Sequence, residues 1–93
     1  ADHDALSAQG HDLKAIGAAL RRYATAVEEA GPLVVVTTPS GYASALARAV
    51  DEGHHPGIAG TIAGDNTIFL APRGATSAGN LTRELAGHLA DAP

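Results

Sequence analysis

Residues 33–38, LVVVTT, restrict the fold of this chain more than any other stretch. Five of the six are β-branched or polar-branched side chains that lose rotamer freedom in a helix and pack well on a pleated surface. Gly31 and Pro32 break the chain before the run, and Pro39, Ser40 and Gly41 break it after. The run therefore has the length of one strand and cannot extend in either direction. A strand alone is not stable in water, so the rest of the chain must supply partners and a cover.

Two further strand-like runs, GIAGTIAG at 57–64 and TIFLAP at 67–72, flank Asp65 and Asn66. Both turn residues tolerate positive φ, so this pair predicts a tight hairpin. Between the strands, YASALARAVDEG at 42–53 reads as a helix. Ser40 is its expected N-cap, Leu46 and Val50 sit four apart with Ala43 and Ala47 beside them, and Gly53 is the expected stop. AGNLTRELAGHLA at 78–90 reads as a second helix, capped by Thr76 or Ser77, with Leu81, Leu85 and Leu89 in one apolar stripe.

The beginning of the chain is open to two readings. Residues 1–12 are polar and alanine-rich, either a linker or the start of a helix. Leu13, Ile16, Leu20 and Val27 keep helical spacing. In RRYATAVEEA, residues 21–30, Tyr23, Thr25 and Val27 also alternate as in a strand. The expected order is strand, strand, helix, strand, strand, helix, after a linker or helical lead-in over 1–20. That is an α+β fold over 21–93: a four-stranded antiparallel sheet with two helices packed on one face.

Composition bounds what such a domain can do. Ninety-three residues make one small domain with a modest core. Apolar residues make up 45% of the chain but aromatic ones only 3%, so the core must come from Ala, Val, Ile and Leu, and self-association is expected to supply further burial. The net charge is -4, with no basic cluster larger than Arg21 and Arg22, which argues against a nucleic-acid surface on this chain. No Cys is present, so no disulfide framework or Cys-based metal site is expected, and a reducing compartment fits. No run approaches membrane-spanning length and no signal-peptide pattern opens the chain, so neither a membrane partner nor export is expected. The absence of Met implies a fragment, with a missing N-terminal partner domain.

Enzymatic chemistry finds little support. Gly60 and Gly64 lack the Lys and Ser/Thr of a P-loop, and are expected to mark a bulge or a close backbone approach. Ser40 in TPSG has no nucleophile-elbow context. The adjacent His54 and His55 point apart with no third ligand near, so no metal is expected and both read as a solvated connector. His3, His11 and His88 are scattered and read as surface. Asp65 and Asn66 remain, either as turn residues alone or as part of a site for a small cationic ligand. Asp51, near the end of the first helix, joins Asp65 if the sheet edge packs there. Two carboxylates near an oligomer seam suit a guanidinium or ammonium.

LVVVTTPSGYASALARAVDEG followed by GIAGTIAGDNTIFLAPRG resembles the C-terminal domain of bacterial arginine repressors. The family pattern is an apolar strand, a Pro-Gly turn, an alanine-rich helix ending in Asp, and then G-T-I-A-G-D-D-T. The resemblance covers about residues 22 to 90. It implies trimers that stack in pairs as a hexamer, with L-arginine bound at the seam as corepressor, in a cytoplasmic regulator of arginine biosynthesis. Operator DNA would be bound by a winged-helix domain preceding this one. It also implies that RYATAVEE is the first strand, in a hairpin with LVVVTT. By position, Asp65 matches the first acidic residue that holds the ligand's cationic groups, Thr61 and Ala63 match pocket-lining positions, and Asp51 matches the helix aspartate near the pocket. Arg48 matches an arginine that reaches the acidic site when ligand is absent. Two positions depart from the pattern: Asn66 stands where a second Asp is usual, and Ser44 where Gln is common. Both fall in the ligand shell.

Overall fold

The computed structural model describes residues 2–90, with side-chain surroundings for 13–89. The element order is α1 (Asp2–Tyr23), β1 (Ala26–Ala30), β2 (Leu33–Thr37), α2 (Ala43–Gly53), β3 (Ile58–Ala63), β4 (Thr67–Pro72) and α3 (Ala78–Ala90). All four strands form one antiparallel sheet in the order β1-β2-β4-β3. The expected α+β class holds, with a third helix added to the two expected on the sheet.

Register explains which face is covered. Val34 pairs with Leu70 and Val36 with Ile68, and all four are buried. Successive side chains of a strand point to opposite faces, so these residues define an inner face with Val27 and Ile58. Helix α2 lies over β3 and β4, while α3 lies over β1 and β2. Leu46 and Val50 of α2 and Leu81 and Leu85 of α3 complete this core.

Helix α1 packs against both α2 and α3 rather than on the sheet. Its Ile16 and Leu20 are each 1% exposed and belong to the same core. A boundary between residues 20 and 21 therefore falls inside a helix that the core uses. The strand reading of Arg22 and Tyr23 is corrected as well: both belong to α1, and the first strand starts only at Ala26. Burial of Leu20, the backbone bond from Ala24 N–H to Leu20 O at 2.8 Å, and the favourable position of Arg21 and Arg22 in the last turn carry the helix as far as Tyr23, the first residue of the alternating stretch.

Helix ends also differ in detail. Ser77 caps α3, its Oγ accepting from Asn80 N–H at 3.0 Å. Ser40 does not cap α2. The N-cap position falls on Tyr42, which provides no side-chain cap. At the other end Gly53 stays within α2, and His54 takes the left-handed conformation at φ 50°.

Candidate functional site

The strand order places the β3–β4 turn beside the end of β2. Thr37 pairs with Thr67, so the residues just beyond each, 38–41 and 64–66, meet. Thr38 N–H donates to Asn66 O at 2.8 Å, and the N–H groups of Gly41 and Ala43 donate to Asp65 O at 3.0 and 3.3 Å. The turn is closed by Gly64 N–H to Thr67 O at 2.8 Å. Asp65 and Asn66 are thus the two loop residues of a tight hairpin, but neither adopts positive φ. Their backbone carbonyls are held by the β2–α2 loop instead.

Both side chains are exposed. Asp65 Oδ2 accepts from Ser40 Oγ at 2.5 Å, which is where the expected capping hydroxyl has gone. Asn66 Oδ1 accepts from Thr67 Oγ1 at 3.0 Å. This leaves the Asn66 amide NH₂ facing outward. A carboxylate and an amide donor therefore stand side by side at the tip.

The other expected site residues lie on α2 and on β3, which is an edge strand. Ser44 lies exposed in the first turn of α2, close to the Asp65 turn. Arg48 lies one turn further on and donates from Nε to Glu52 Oε2 at 3.1 Å, with the two side chains 81% and 68% exposed. Arg48 is therefore paired along its own helix, and Asp65 with Ser40. Asp51 sits in the last turn of α2, roughly 12 Å of helix from Ala43 at about 1.5 Å per residue. A single chain does not bring Asp51 and Asp65 together.

Thr61 and Ala63 point to the inner face, opposite Leu70 and Ile68. Asp51 and Thr61 line one cavity of about 390 Å³ together with His54, His55, Pro56 and Arg73. Arg73 was absent from the sequence-based site: the β3–β4 hairpin returns the end of β4 to the start of β3, but only the packing of α2 against β3 makes a cavity there. Its N–H donates to Gly57 O at 2.8 Å. The register slips between Ile58 and Gly60, the bulge expected around Gly60.

Two histidines correct the sequence reading. His54 is exposed, but His55 is 8% exposed and fully engaged. Its Nδ1 accepts from Gly57 N–H at 2.9 Å and its Nε2 lies 2.5 Å from Glu84 Oε2. A ring nitrogen that accepts carries no proton, so the geometry selects the neutral tautomer with Nε2–H donating to Glu84. Adjacent residues at a helix exit point in opposite directions, and here one of the pair goes inward. His88 is half-buried against α1: a Cβ on Gly17 would come within 2.6 Å of its Nδ1. The surface reading of His3 and His11 falls on residues whose side-chain surroundings are outside those described.

The outer sheet face has no cover among the described residues. Ile62 and Val35 flank Phe69 across the strands. Ile62 is 73% exposed and Phe69 46%. A cluster of large apolar groups on one sheet face is the mark of a contact surface.

These features place the chain among small α+β domains that pair an acidic hairpin turn with an open apolar sheet face. The model of the arginine repressor C-terminal domain family matches residues 20–87. An arginine repressor of Anaeromyxobacter sp. (strain Fw109-5) is 47% identical over 74 residues, which is 80% of this chain and 44% of that protein. One from Clostridium acetobutylicum is 48% identical over 59 residues, 63% of this chain and 39% of the relative. The chain belongs to the arginine repressor family, in the part that forms its C-terminal domain. It is a family of repressors, not of enzymes. The chain spans less than half the length of these curated relatives.

Proposed function

We propose that this chain is the effector-binding and oligomerisation domain of a cytoplasmic, arginine-responsive repressor of arginine biosynthesis. L-Arginine is the effector, held between trimers that stack into a hexamer, and no metal is used. The observation that carries this reading is the Asp65–Asn66 turn, fixed by the β2–α2 loop and presenting its side chains outward beside an uncovered apolar face. A side chain aimed away from its own chain completes a site only with another copy. Asp65, Asn66 and Ser44 form one end of the ligand shell, and Thr61, Ala63 and Asp51 the other. Arg48 releases Glu52 and reaches the acidic site when effector is absent. Operator DNA is bound through a separate N-terminal domain, and this domain contributes ligand-dependent assembly.

One observation favours a second reading, an assembly domain that has lost or changed its effector. Asp65 is engaged by Ser40, and the neutral Asn66 is engaged by Thr67. Thermal unfolding and light scattering with L-arginine separate the two. The effector reading expects a trimer or hexamer, and at a hundredfold excess over Kd a stabilisation of about 2.7 kcal/mol. An assembly whose melting temperature is unmoved by arginine supports the second reading. A monomer at micromolar concentration defeats both.

A further inference from the structure

The loop between β2 and α2 grips the Asp65 turn. Thr38, Gly41 and Ala43 donate backbone N–H groups to the carbonyls of Asn66 and Asp65, and the Ser40 hydroxyl donates to the Asp65 carboxylate. These bonds tie loop and turn into one body. Tyr42 stands in the middle of that loop, between Gly41 and Ala43. Its ring stacks on Tyr23, the last residue of α1, with centroids 5.8 Å apart and planes inclined by 27°. The Arg22 guanidinium lies over Tyr23 at 5.6 Å. A backbone route runs beside the stack. Thr25, just past α1, donates to Thr37 O from its N–H at 2.7 Å and from Oγ1 at 3.1 Å, and Thr38 follows along the chain. The rings also have room to shift. Tyr42 is half exposed, and the pair borders a recess of about 410 Å³ shared with Arg22 and Pro39.

Resting on the effector reading above, we infer that the Tyr23–Tyr42 stack is a joint through which α1 sets the position of the effector turn. Both tyrosines are positioning residues, acting on the ligand only through the turn. The side chains of a tight turn are aimed by its backbone, and this backbone is held by the loop that carries Tyr42. Stacked rings prefer particular offsets, so the pair fixes the loop in direction as well as distance. Packed side chains and hydrogen bonds that join two elements carry coupling between them. Such coupling is reciprocal, so a ligand engaged by Asp65 also acts on the stack. In the reading above, the operator-binding domain precedes α1. The joint then links the effector turn to the helix nearest that domain.

The chain has two tyrosines and no tryptophan, so tyrosine fluorescence and tyrosine near-ultraviolet dichroism report on this pair alone. Calorimetry with L-arginine is run beside them on the parent, Tyr23→Ala, Tyr42→Ala, the double variant, and the two Phe replacements. Each alanine variant should weaken arginine by about three- to tenfold. The double variant should lose no more than either single one, because all three break the same contact. Tyr23→Phe and Tyr42→Phe keep the stack and should keep the parent's affinity. Saturating arginine should shift the tyrosine signal of the parent. Neither ring is fully buried, so loss of fold is not expected, and far-ultraviolet dichroism checks it. Alanine variants that melt earlier but bind arginine as the parent does would make the stack a brace only and overturn the inference. Losses that multiply in the double variant overturn it too, as does a tyrosine signal unmoved when calorimetry shows saturation. In those three cases the effector reading stands. A parent that binds no arginine overturns that reading, and this inference with it.

Discussion

Ser40 and Asp65 lie 25 positions apart in the chain, yet the Ser40 hydroxyl donates to Asp65 Oδ2 at 2.5 Å. This bond occupies one of the two oxygens that a guanidinium fork would use. Ser40→Ala frees both. Arginine affinity is then expected to rise by about three- to tenfold, since a bond to a charged group is no longer competed for. Isothermal calorimetry measures it. A weaker affinity in the variant would mean that Ser40 aims the carboxylate instead of competing for it.

Asn66 exposes its amide NH₂, because its carbonyl oxygen is taken by Thr67. The orientation follows from that hydrogen bond. A guanidinium has only donors, so Asn66 contributes nothing favourable to it as placed. Asn66→Asp should tighten arginine by about one power of ten, at ~1.4 kcal/mol per decade. Citrulline, whose ureido oxygen accepts, should lose ground in the same variant. Unchanged arginine affinity would make Asn66 a turn residue only.

Ile62 and Phe69 are adjacent on the outer face, the first mostly and the second nearly half exposed in the single chain. Ile62→Asp combined with Phe69→Ser should therefore abolish assembly without unfolding the domain. Sedimentation should give a monomer while the circular dichroism spectrum keeps its native shape. Persistence of the oligomer would place the contact elsewhere.

His55 supports the connector into β3 through Gly57 and α3 through Glu84. His55→Ala leaves the buried Gly57 N–H without a partner, a cost of roughly 1–3 kcal/mol. Glu84 is half exposed, and its pair with His55 is expected to contribute less, below about 1 kcal/mol. Urea unfolding of His55→Ala and Glu84→Gln distinguishes the two. Equal losses would show that the carboxylate, not the Gly57 bond, sets the position of the ring.

Gly17 and His88 fill one contact between α1 and α3. Ala is normally better than Gly within a helix by about 1 kcal/mol. At this site the added methyl meets the imidazole. Gly17→Ala is expected to stabilise the His88→Ala background by about that amount, and to give little or no gain with His88 present. A double-mutant cycle that shows simple additivity would remove the contact from the account.

How far the sequence carries depends on where the deciding contact lies. The strands were legible because Gly31, Pro32 and the 39–41 break bound them locally. The stripe of Leu81, Leu85 and Leu89 was legible because helical period needs no distant partner. Ser40 was misassigned as a cap because its acceptor, Asp65, arrives from another hairpin. The β3–β4 hairpin alone returns Arg73 to the start of β3, but the cavity there exists only once α2 packs against β3. The exit of α1 was ambiguous because Tyr23 fits a strand alternation, while its ring stacks on Tyr42 with centroids 5.8 Å apart. The histidine pair read as solvated because the groups that receive His55, the Gly57 N–H and Glu84 of α3, are brought to it only by the folded connector and a distant helix.

The two free borders of the sheet are unequally defended. β1 carries Glu28 and Glu29, both exposed, and charge on a border strand deters another strand from adding to it. β3, with the sequence IAGTIA, carries no charge at all, and among the described residues no strand pairs with its far side. Whatever fails to occupy that border leaves open a template for intermolecular β-pairing. The handling of the purified protein, its tolerance of concentration and storage, should therefore be decided along β3, and a lysine at exposed Ala59 is the first remedy to try.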